Sequence, residues 1–193
     1  MKVLSSFLNS LHLDPSYCLL SVYGVTLVLH YYRSMDIRTD MTMDDVQFEV
    51  FLKSVTDLSS EKVYRVFDML DVDCSGVIDF DGFYLLVCIL VSIKDGMEKQ
   101  FISCHSRTLF DLLDRDADGN ISVKEFERFG FLFNLTKGAI KEIFKEFDVS
   151  GDEILDYNEF QMFIMACVDK QKEIEAQRSH IKEWLQMTLC TLL

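Results

Sequence analysis

The sequence predicts an all-α fold of four helix–loop–helix units in two lobes, followed by a C-terminal helical tail. Three observations predict it: apolar residues at helical spacing, a recurring twelve-residue acidic loop, and a longer gap between the second and third repeats. The chain has 193 residues, enough for one compact domain or two small ones. Its 16 Phe and 7 Tyr residues can fill a core, which excludes a disordered chain.

The repeat is aligned on aspartates 36, 71, 114 and 148, at intervals of 35, 43 and 34 residues. Phe or Tyr stands four residues before each Asp. An apolar residue stands at the eighth loop position, and Phe directly follows each twelve-residue loop. The long middle interval predicts an N-terminal lobe over 1–93 with loops 36–47 and 71–82. It also predicts a C-terminal lobe over 97–170 with loops 114–125 and 148–159, and a helical tail over 171–193. The lobes join near residues 93–96, either by a flexible linker or within one continuous helix.

Composition narrows the possible partners. Nineteen basic and 32 acidic residues give a net charge of −13, which repels phosphate backbones and excludes nucleic-acid binding. The excess of acids fits a bound cation or a basic partner. Six cysteines with no C-x-x-C pair predict free thiols in a reducing compartment. The apolar stretch 17–32 is short for a transmembrane segment, so we expect a cytoplasmic protein.

Segment 114–125 carries the EF-hand pattern. Calcium takes six to eight oxygens, which this loop type supplies from positions 1, 3, 5, 7 and 9, with a bidentate Glu at 12 and Gly at 6 for the turn. Gly119 stands at position 6. The predicted ligands are Asp114, Asp116, Asp118, Asn120 through its carbonyl, Ser122 through a water, and Glu125. This loop is predicted to bind calcium.

Segment 148–159 keeps oxygen donors at the same loop positions but departs from the pattern at position 6. Glu153 stands there in place of Gly, and a non-Gly residue at positive φ is strained by roughly 1 kcal/mol. We therefore expect weaker calcium binding. The predicted ligands are Asp148, Ser150, Asp152, Ile154 through its carbonyl, Asp156 and Glu159.

The two N-terminal loops are degenerate. Loop 71–82 offers weak or vestigial ligands at Asp71, Asp73, Ser75, Val77 and Asp79. Its position 12 is Gly82, so the bidentate carboxylate is missing. Loop 36–47 has Arg38 at position 3 and Gln47 at position 12, which puts a fixed cation where the ion would sit. The N-terminal lobe is predicted to be mostly scaffold.

A partner surface is predicted near the C-terminus. Calcium opens the helix pairs of sensor EF-hands and exposes an apolar groove for a partner helix. The candidate groove residues are Met162, Phe163, Met165 and Trp184, although Met at helical spacing also fits a core. The tail can dock on its own lobe or on a partner. The terminal Cys190-Thr-Leu-Leu193 resembles a prenylation box, but no basic cluster precedes it, which favours a chance match.

Five stretches go beyond the generic pattern: residues 17–22, 105–114, 131–134, 147–152 and 167–170. Together they resemble the family of EF-hand calcium-binding domain-containing protein 9, the cytosolic accessory subunits of the CatSper sperm calcium channel. The resemblance spans most of residues 17–170. It implies a pH-dependent calcium sensor in complex with the small CatSper zeta subunit, beneath the channel in the sperm flagellum. Loop 114–125 is more complete than that family's pattern.

The leading functional hypothesis is therefore a calcium-sensing regulatory subunit of an ion-channel complex. The alternatives are a calcium-independent structural adaptor and a calmodulin-like sensor of another target. A calcium buffer would need all its loops intact, whereas two here are damaged. An enzyme is disfavoured because the acid-rich segments are accounted for as metal loops, and no phosphate-binding Gly-rich loop or nucleophile motif is evident.

Overall fold

The computed structural model describes residues 1–4, 6–130, 137–170, 173 and 176. The helices of the first half are α1 Ser6–Asn9, α2 Val22–Met35, α3 Asp45–Val55, α4 Ser60–Leu70 and α5 Phe80–Asp95. Those of the second half are α6 Glu98–Leu113, α7 Val123–Phe129, α8 Lys137–Phe147 and α9 over 157–170. Over these residues the fold is all-α, as predicted, with short strands only inside the loops. Most of the predicted tail, 171–193, lies outside the described residues.

Each pair of loops is joined by a small antiparallel sheet. Strands β1 Thr42–Asp44 and β2 Val77–Asp79 pair Met43 with Ile78. Strands β3 Ile121–Ser122 and β4 Ile154–Leu155 pair Ile121 with Leu155. All four of these residues occupy the eighth loop position, and all four are buried. The apolar eighth position therefore joins the loops in the two pairs that the sequence predicts.

The ninth loop position starts each helix that leaves a loop. A free helix N-terminus leaves backbone N–H groups without partners, and a short polar side chain can accept from them. In every loop the position-9 side chain accepts from the N–H of position 12. The acceptors and distances are Asp44 at 2.9 Å, Asp79 at 2.8 Å, Ser122 at 3.3 Å and Asp156 at 2.9 Å.

The segment that joins the two halves is neither a long linker nor a continuous helix. Helix α5 ends at Asp95, Gly96 takes the left-handed conformation with φ +69°, and α6 begins at Glu98. Glycine adopts this conformation without a Cβ clash, which is why it commonly follows a helix end. Helix α6 itself is kinked at His105, where φ is −126° and ψ is 21°.

Most of the largest fully buried side chains are phenylalanines on the helices that flank the loops. Phe51 packs on Phe83 with ring centroids 4.7 Å apart in the first half, and Phe126 packs on Phe163 at 4.5 Å in the second. Helix α4 contacts α6 and α7, so the two lobes touch each other. Among the described residues, no helix is both long enough and apolar enough to span a membrane.

Candidate metal centre

All four loops share one hydrogen-bonded skeleton. The carboxylate of the first Asp accepts from the backbone N–H of position 6, which curls the loop around a centre lined by oxygen atoms. The bonds run from Met41 to Asp36 at 2.8 Å, Gly76 to Asp71 at 3.0 Å, Gly119 to Asp114 at 2.9 Å and Glu153 to Asp148 at 2.9 Å. The loops therefore differ in their ligand side chains rather than in their basic curl.

Three carboxylates converge in loop 114–125. One oxygen from each of Asp114, Asp116 and Asp118 lies within 4.8 Å of the others. Asp116 and Asp118 are exposed, while Asp114 is half-buried. Such a cluster of like charges is repulsive without a cation, and hard carboxylate oxygens are the donors that calcium prefers. Asp118 also accepts from the backbone N–H of Asn120 at 2.8 Å, which fixes the following turn.

Glu125 lies at the start of α7 and is held by the loop backbone. One carboxylate oxygen accepts from the N–H of Arg115 at 3.1 Å. The other accepts from the N–H and the hydroxyl of Ser122 at 2.8 and 2.7 Å. Ser122 accepts in return from the N–H of Glu125, so the two residues form a capping box. Glu125 is thus held by the loop itself, with both oxygens committed to hydrogen bonds.

Loop 148–159 repeats this arrangement with a different donor set. Glu159 accepts from the N–H of Val149 at 3.2 Å and of Asp156 at 3.0 Å. Ser150 donates its hydroxyl to Asp148 at 3.0 Å. Burial opposes ionisation of Asp148, but hydrogen bonds from the N–H groups of Glu153 and Gly151 outweigh it and lower the pKa of that carboxyl. The position-1 carboxylate is therefore held in its charged form.

Two residues of every loop adopt positive φ, at positions 4 and 6. The sequence identifies position 6, and Glu153 does adopt the strained conformation, with φ +65°. The sequence does not identify position 4, because Thr39, Cys74 and Ala117 carry no turn signal; their φ values are 58°, 55° and 56°. In loop 148–159 a glycine fills position 4, with Gly151 at φ +76°.

The first two loops keep the skeleton without a full set of ligands. In loop 71–82, Ser75 donates its N–H to Asp71 at 2.8 Å and to Asp73 at 3.1 Å, as a metal loop would. Position 12 supplies only the backbone of Gly82. In loop 36–47, Arg38 forms an ion pair with Asp44 at 2.5 Å. The guanidinium of Arg38 thus binds the position-9 carboxylate that a calcium ion would otherwise bind.

An ion pair between the lobes lies beside loop 114–125, and sequence reasoning missed it. Asp68, near the end of α4, contacts the guanidinium of Arg115 at 3.0 Å and that of Arg128 at 3.7 Å. Arg115 also donates to the backbone carbonyl of Asp68. The same Arg115 gives its backbone N–H to Glu125. One residue therefore links the N-terminal lobe to the position-12 carboxylate.

The predicted partner residues are placed differently from one another. Phe163 is fully buried against Phe126 and Phe144, with ring centroids 4.5 and 5.4 Å away. Met165 is half-buried, and Met162 is 51% exposed. Trp184 and Cys190 lie outside the described residues.

Comparison with known families matches both halves of the chain. The family model described as an EF-hand domain pair matches residues 104–173, and a second model of the same description matches 43–90. Together these segments cover more than half of the chain. The chain belongs to the EF-hand family. Its cofactor is accordingly calcium, which the oxygen-rich loops suit.

Curated proteins match parts of the chain, and some of them are described as calcium-binding proteins. Cell division control protein 31 of Saccharomyces cerevisiae is 25% identical over 137 residues, which is 69% of this chain and 80% of that protein. Probable calcium-binding protein CML13 of Oryza sativa subsp. japonica is 25% identical over 122 residues, 62% of this chain and 69% of that protein. The 20 kDa calcium-binding protein of Schistosoma mansoni is 28% identical over 95 residues, 48% of this chain and 58% of that protein.

Proposed function

We propose that this EF-hand protein is a non-enzymatic calcium sensor that binds the ion mainly through loops 114–125 and 148–159 and engages a helix of a partner protein. The observation that carries the proposal is the convergence of Asp114, Asp116 and Asp118, with oxygens within 4.8 Å, next to a position-12 glutamate. The same position is Gln47 in loop 36–47 and Gly82 in loop 71–82. Calcium sensing is therefore assigned to the C-terminal lobe.

Calorimetric calcium titration of the full chain, in millimolar magnesium, tests the assignment. We expect one or two sites in the micromolar range or tighter. Glu125→Gln removes one charged ligand and should weaken one site at least about tenfold, as for loss of a charge-assisted contact of ~1.5–3 kcal/mol. Glu159→Gln should weaken the other. Glu61→Gln, on the exposed face of α4, is the control that should leave both sites unchanged.

A structural adaptor is the second candidate, and the N-terminal lobe favours it. The Arg38–Asp44 ion pair and the missing side chain at Gly82 leave that lobe without a complete metal site. An adaptor would hold its partner permanently, whereas a sensor would hold it in a calcium-dependent way. Partner binding that is equal in calcium and in chelator, and equal for Glu125→Gln, would favour the adaptor over the sensor.

We further propose that the partner is the CatSper channel complex of the sperm flagellum, beneath the plasma membrane. The resemblance of residues 17–22, 105–114 and 147–152 to that family's accessory subunits supports this assignment. The expected partners are a small protein resembling CatSper zeta and the cytoplasmic part of the channel. If the assignment holds, full-length protein will capture recombinant CatSper zeta from a purified mixture, and antibody will label the flagellum. Absence of both results would leave the calmodulin-like sensor of another target.

A further inference from the structure

The segment before α2 lies along α6, and three consecutive carbonyls hold it there. The side-chain amide of Gln100 donates to the carbonyl of Pro15 at 3.2 Å. The thiol of Cys104 donates to the carbonyl of Ser16 at 3.9 Å, and Nε2 of His105 lies 3.1 Å from the carbonyl of Tyr17. The next residue along the chain is Cys18. Helix α6, which enters loop 114–125, is thus bound to a segment almost 90 residues away in the chain.

The two cysteines at this contact differ in accessibility. Cys104 is exposed and Cys18 is fully buried. The Cys104 sulfur lies 3.9 Å from the carbonyl of Ser16, two residues before Cys18. Burial, followed by the contact with Cys104, raises the pKa of the Cys18 thiol to about 11. Cys18 itself adopts a left-handed backbone conformation, with φ +52°. Cys104 is thus the thiol that an oxidant reaches, and Cys18 is its neighbour.

We propose that Cys18 and Cys104 are a redox-modification site, which a peroxide converts to an intramolecular disulfide. The exposed Cys104 thiol takes up one oxygen from the peroxide, forming a sulfenic acid and releasing water or an alcohol. The Cys18 thiol then attacks that sulfur. It loses its proton, the hydroxide leaves, and the two combine as water while the S–S bond forms. One peroxide is reduced and two thiols are oxidised.

The other described cysteines lack this arrangement. Cys88 and Cys167 are buried, and desolvation raises the pKa of their thiols to about 11 and about 12. Burial keeps a peroxide from both thiols, and among the described residues neither has an exposed cysteine beside it. Cys74 is exposed as well, and its sulfur lies 3.9 Å from the guanidinium of Arg115 rather than beside a second cysteine. The disulfide is therefore expected between Cys104 and Cys18.

The site is tested on the full reduced chain treated with hydrogen peroxide. Intact mass should fall by two hydrogen atoms, and proteolysis without reductant should yield a peptide joining Cys18 to Cys104, which dithiothreitol separates. In Cys18→Ser, Cys104 should instead gain oxygen. Cys104→Ser keeps a donor for the Ser16 carbonyl at an exposed position, and it should give neither product. Oxygen added at Cys104 without a link in the wild-type chain, or a link from Cys104 to Cys74, would overturn the proposal.

The consequence for calcium sensing rests on the proposed function. A disulfide would fix α6 to residues 15–18 and restrict the movement by which the C-terminal helix pair exposes apolar surface. Fluorescence of an apolar dye should rise less on calcium addition to the oxidised chain than to the reduced chain, and Cys104→Ser should respond alike in both conditions. If the link forms and the rise is unchanged, the restriction is wrong. If the reduced chain itself shows no rise, the proposed sensor function fails, and the mass measurement still decides the modification site.

Discussion

Glu153 occupies the loop position that glycine fills in two of the other loops. Its φ is +65°, whereas Gly76 and Gly119 reach 78° and 85° without a Cβ. Glu153 is exposed, so removing its side chain should sacrifice little packing. We expect Glu153→Gly to raise the free energy of unfolding by about 1 kcal/mol. It should also tighten calcium binding in loop 148–159, because the loop no longer strains to adopt the bound curl. Urea unfolding and calorimetric titration measure the two effects.

Gly151 is the matched control two residues earlier. It has φ +76°, and a Cβ placed on it meets no atom within 4 Å. Gly151→Ala should therefore destabilise the protein by about 1 kcal/mol through conformation alone. Equal stability of Glu153→Gly and the wild-type chain, alongside a destabilised Gly151→Ala, would show that the backbone at position 6 is not strained by its side chain.

For single residues, the sequence predicts the backbone conformation only where residue type and loop position both carry a signal. The strain at Glu153 follows from a single missing glycine in a known pattern. The positive φ of Thr39, Cys74 and Ala117 does not, because those residues ordinarily avoid the left-handed region and only the closed loop imposes it. Around Cys74 and Ala117, hydrogen bonds from positions 5 and 6 to the first Asp hold the backbone there. Around Thr39, the bond from position 6 does so.

Tyr32 connects a helix to both loops of the N-terminal lobe. It lies in α2 and is fully buried. Its hydroxyl lies 2.9 Å from the carbonyl of Met41 and 2.9 Å from that of Ile78, and it can donate its proton to either. Burial, followed by the charges of Asp79 and Asp36, raises the pKa of this hydroxyl well above its usual value, so it stays a donor. The degenerate lobe is thus held together by a residue that binds no metal.

Tyr32→Phe should lower the free energy of unfolding by about 1–3 kcal/mol, because it leaves a carbonyl without its donor in the core. Thermal or urea unfolding, followed by circular dichroism, measures the change. Tyr64→Phe is the control, since Tyr64 is 64% exposed and should change stability by no more than about 0.5 kcal/mol. If both variants unfold alike, the hydroxyl of Tyr32 does not join α2 to the loops.

The pairing of elements could be predicted more completely than their junctions. The apolar eighth position predicts which strands meet, since Met43 pairs with Ile78 and Ile121 with Leu155. The sequence leaves the junction at residues 93–96 open, because lysine and aspartate suit a helix or a linker equally well. The left-handed Gly96 resolves it in favour of a tight turn. The kink at His105 has no sequence signal, and it falls where residues 15–17 bind α6.

The two lobes meet beside the candidate metal centre, and no local sequence pattern predicts this contact. Asp68 is one of 32 acidic residues, and nothing in its local sequence distinguishes it. Its side chain faces Arg115 and Arg128 across the interface, and both Asp68 and Arg115 are only partly exposed. The N-terminal lobe thus contributes a negative charge next to loop 114–125, the candidate metal site.

Asp68→Asn should weaken calcium binding in loop 114–125 by about fivefold. The substitution leaves two guanidinium charges uncompensated beside the ion, and a partly exposed pair of this kind contributes about 1 kcal/mol. Asparagine retains an oxygen for Arg115, so the effect isolates the charge. Calorimetric titration at low and at high salt is the measurement, and the difference from the wild-type chain should shrink at high salt because mobile ions screen the guanidinium charges.

Loop 148–159 in the same titration and the Glu61→Gln variant are the controls, and neither should change. An unchanged or tighter site in Asp68→Asn would mean that the N-terminal lobe does not tune the metal centre. A loss independent of salt would mean that Asp68 acts by holding the position of Arg115 rather than by its charge.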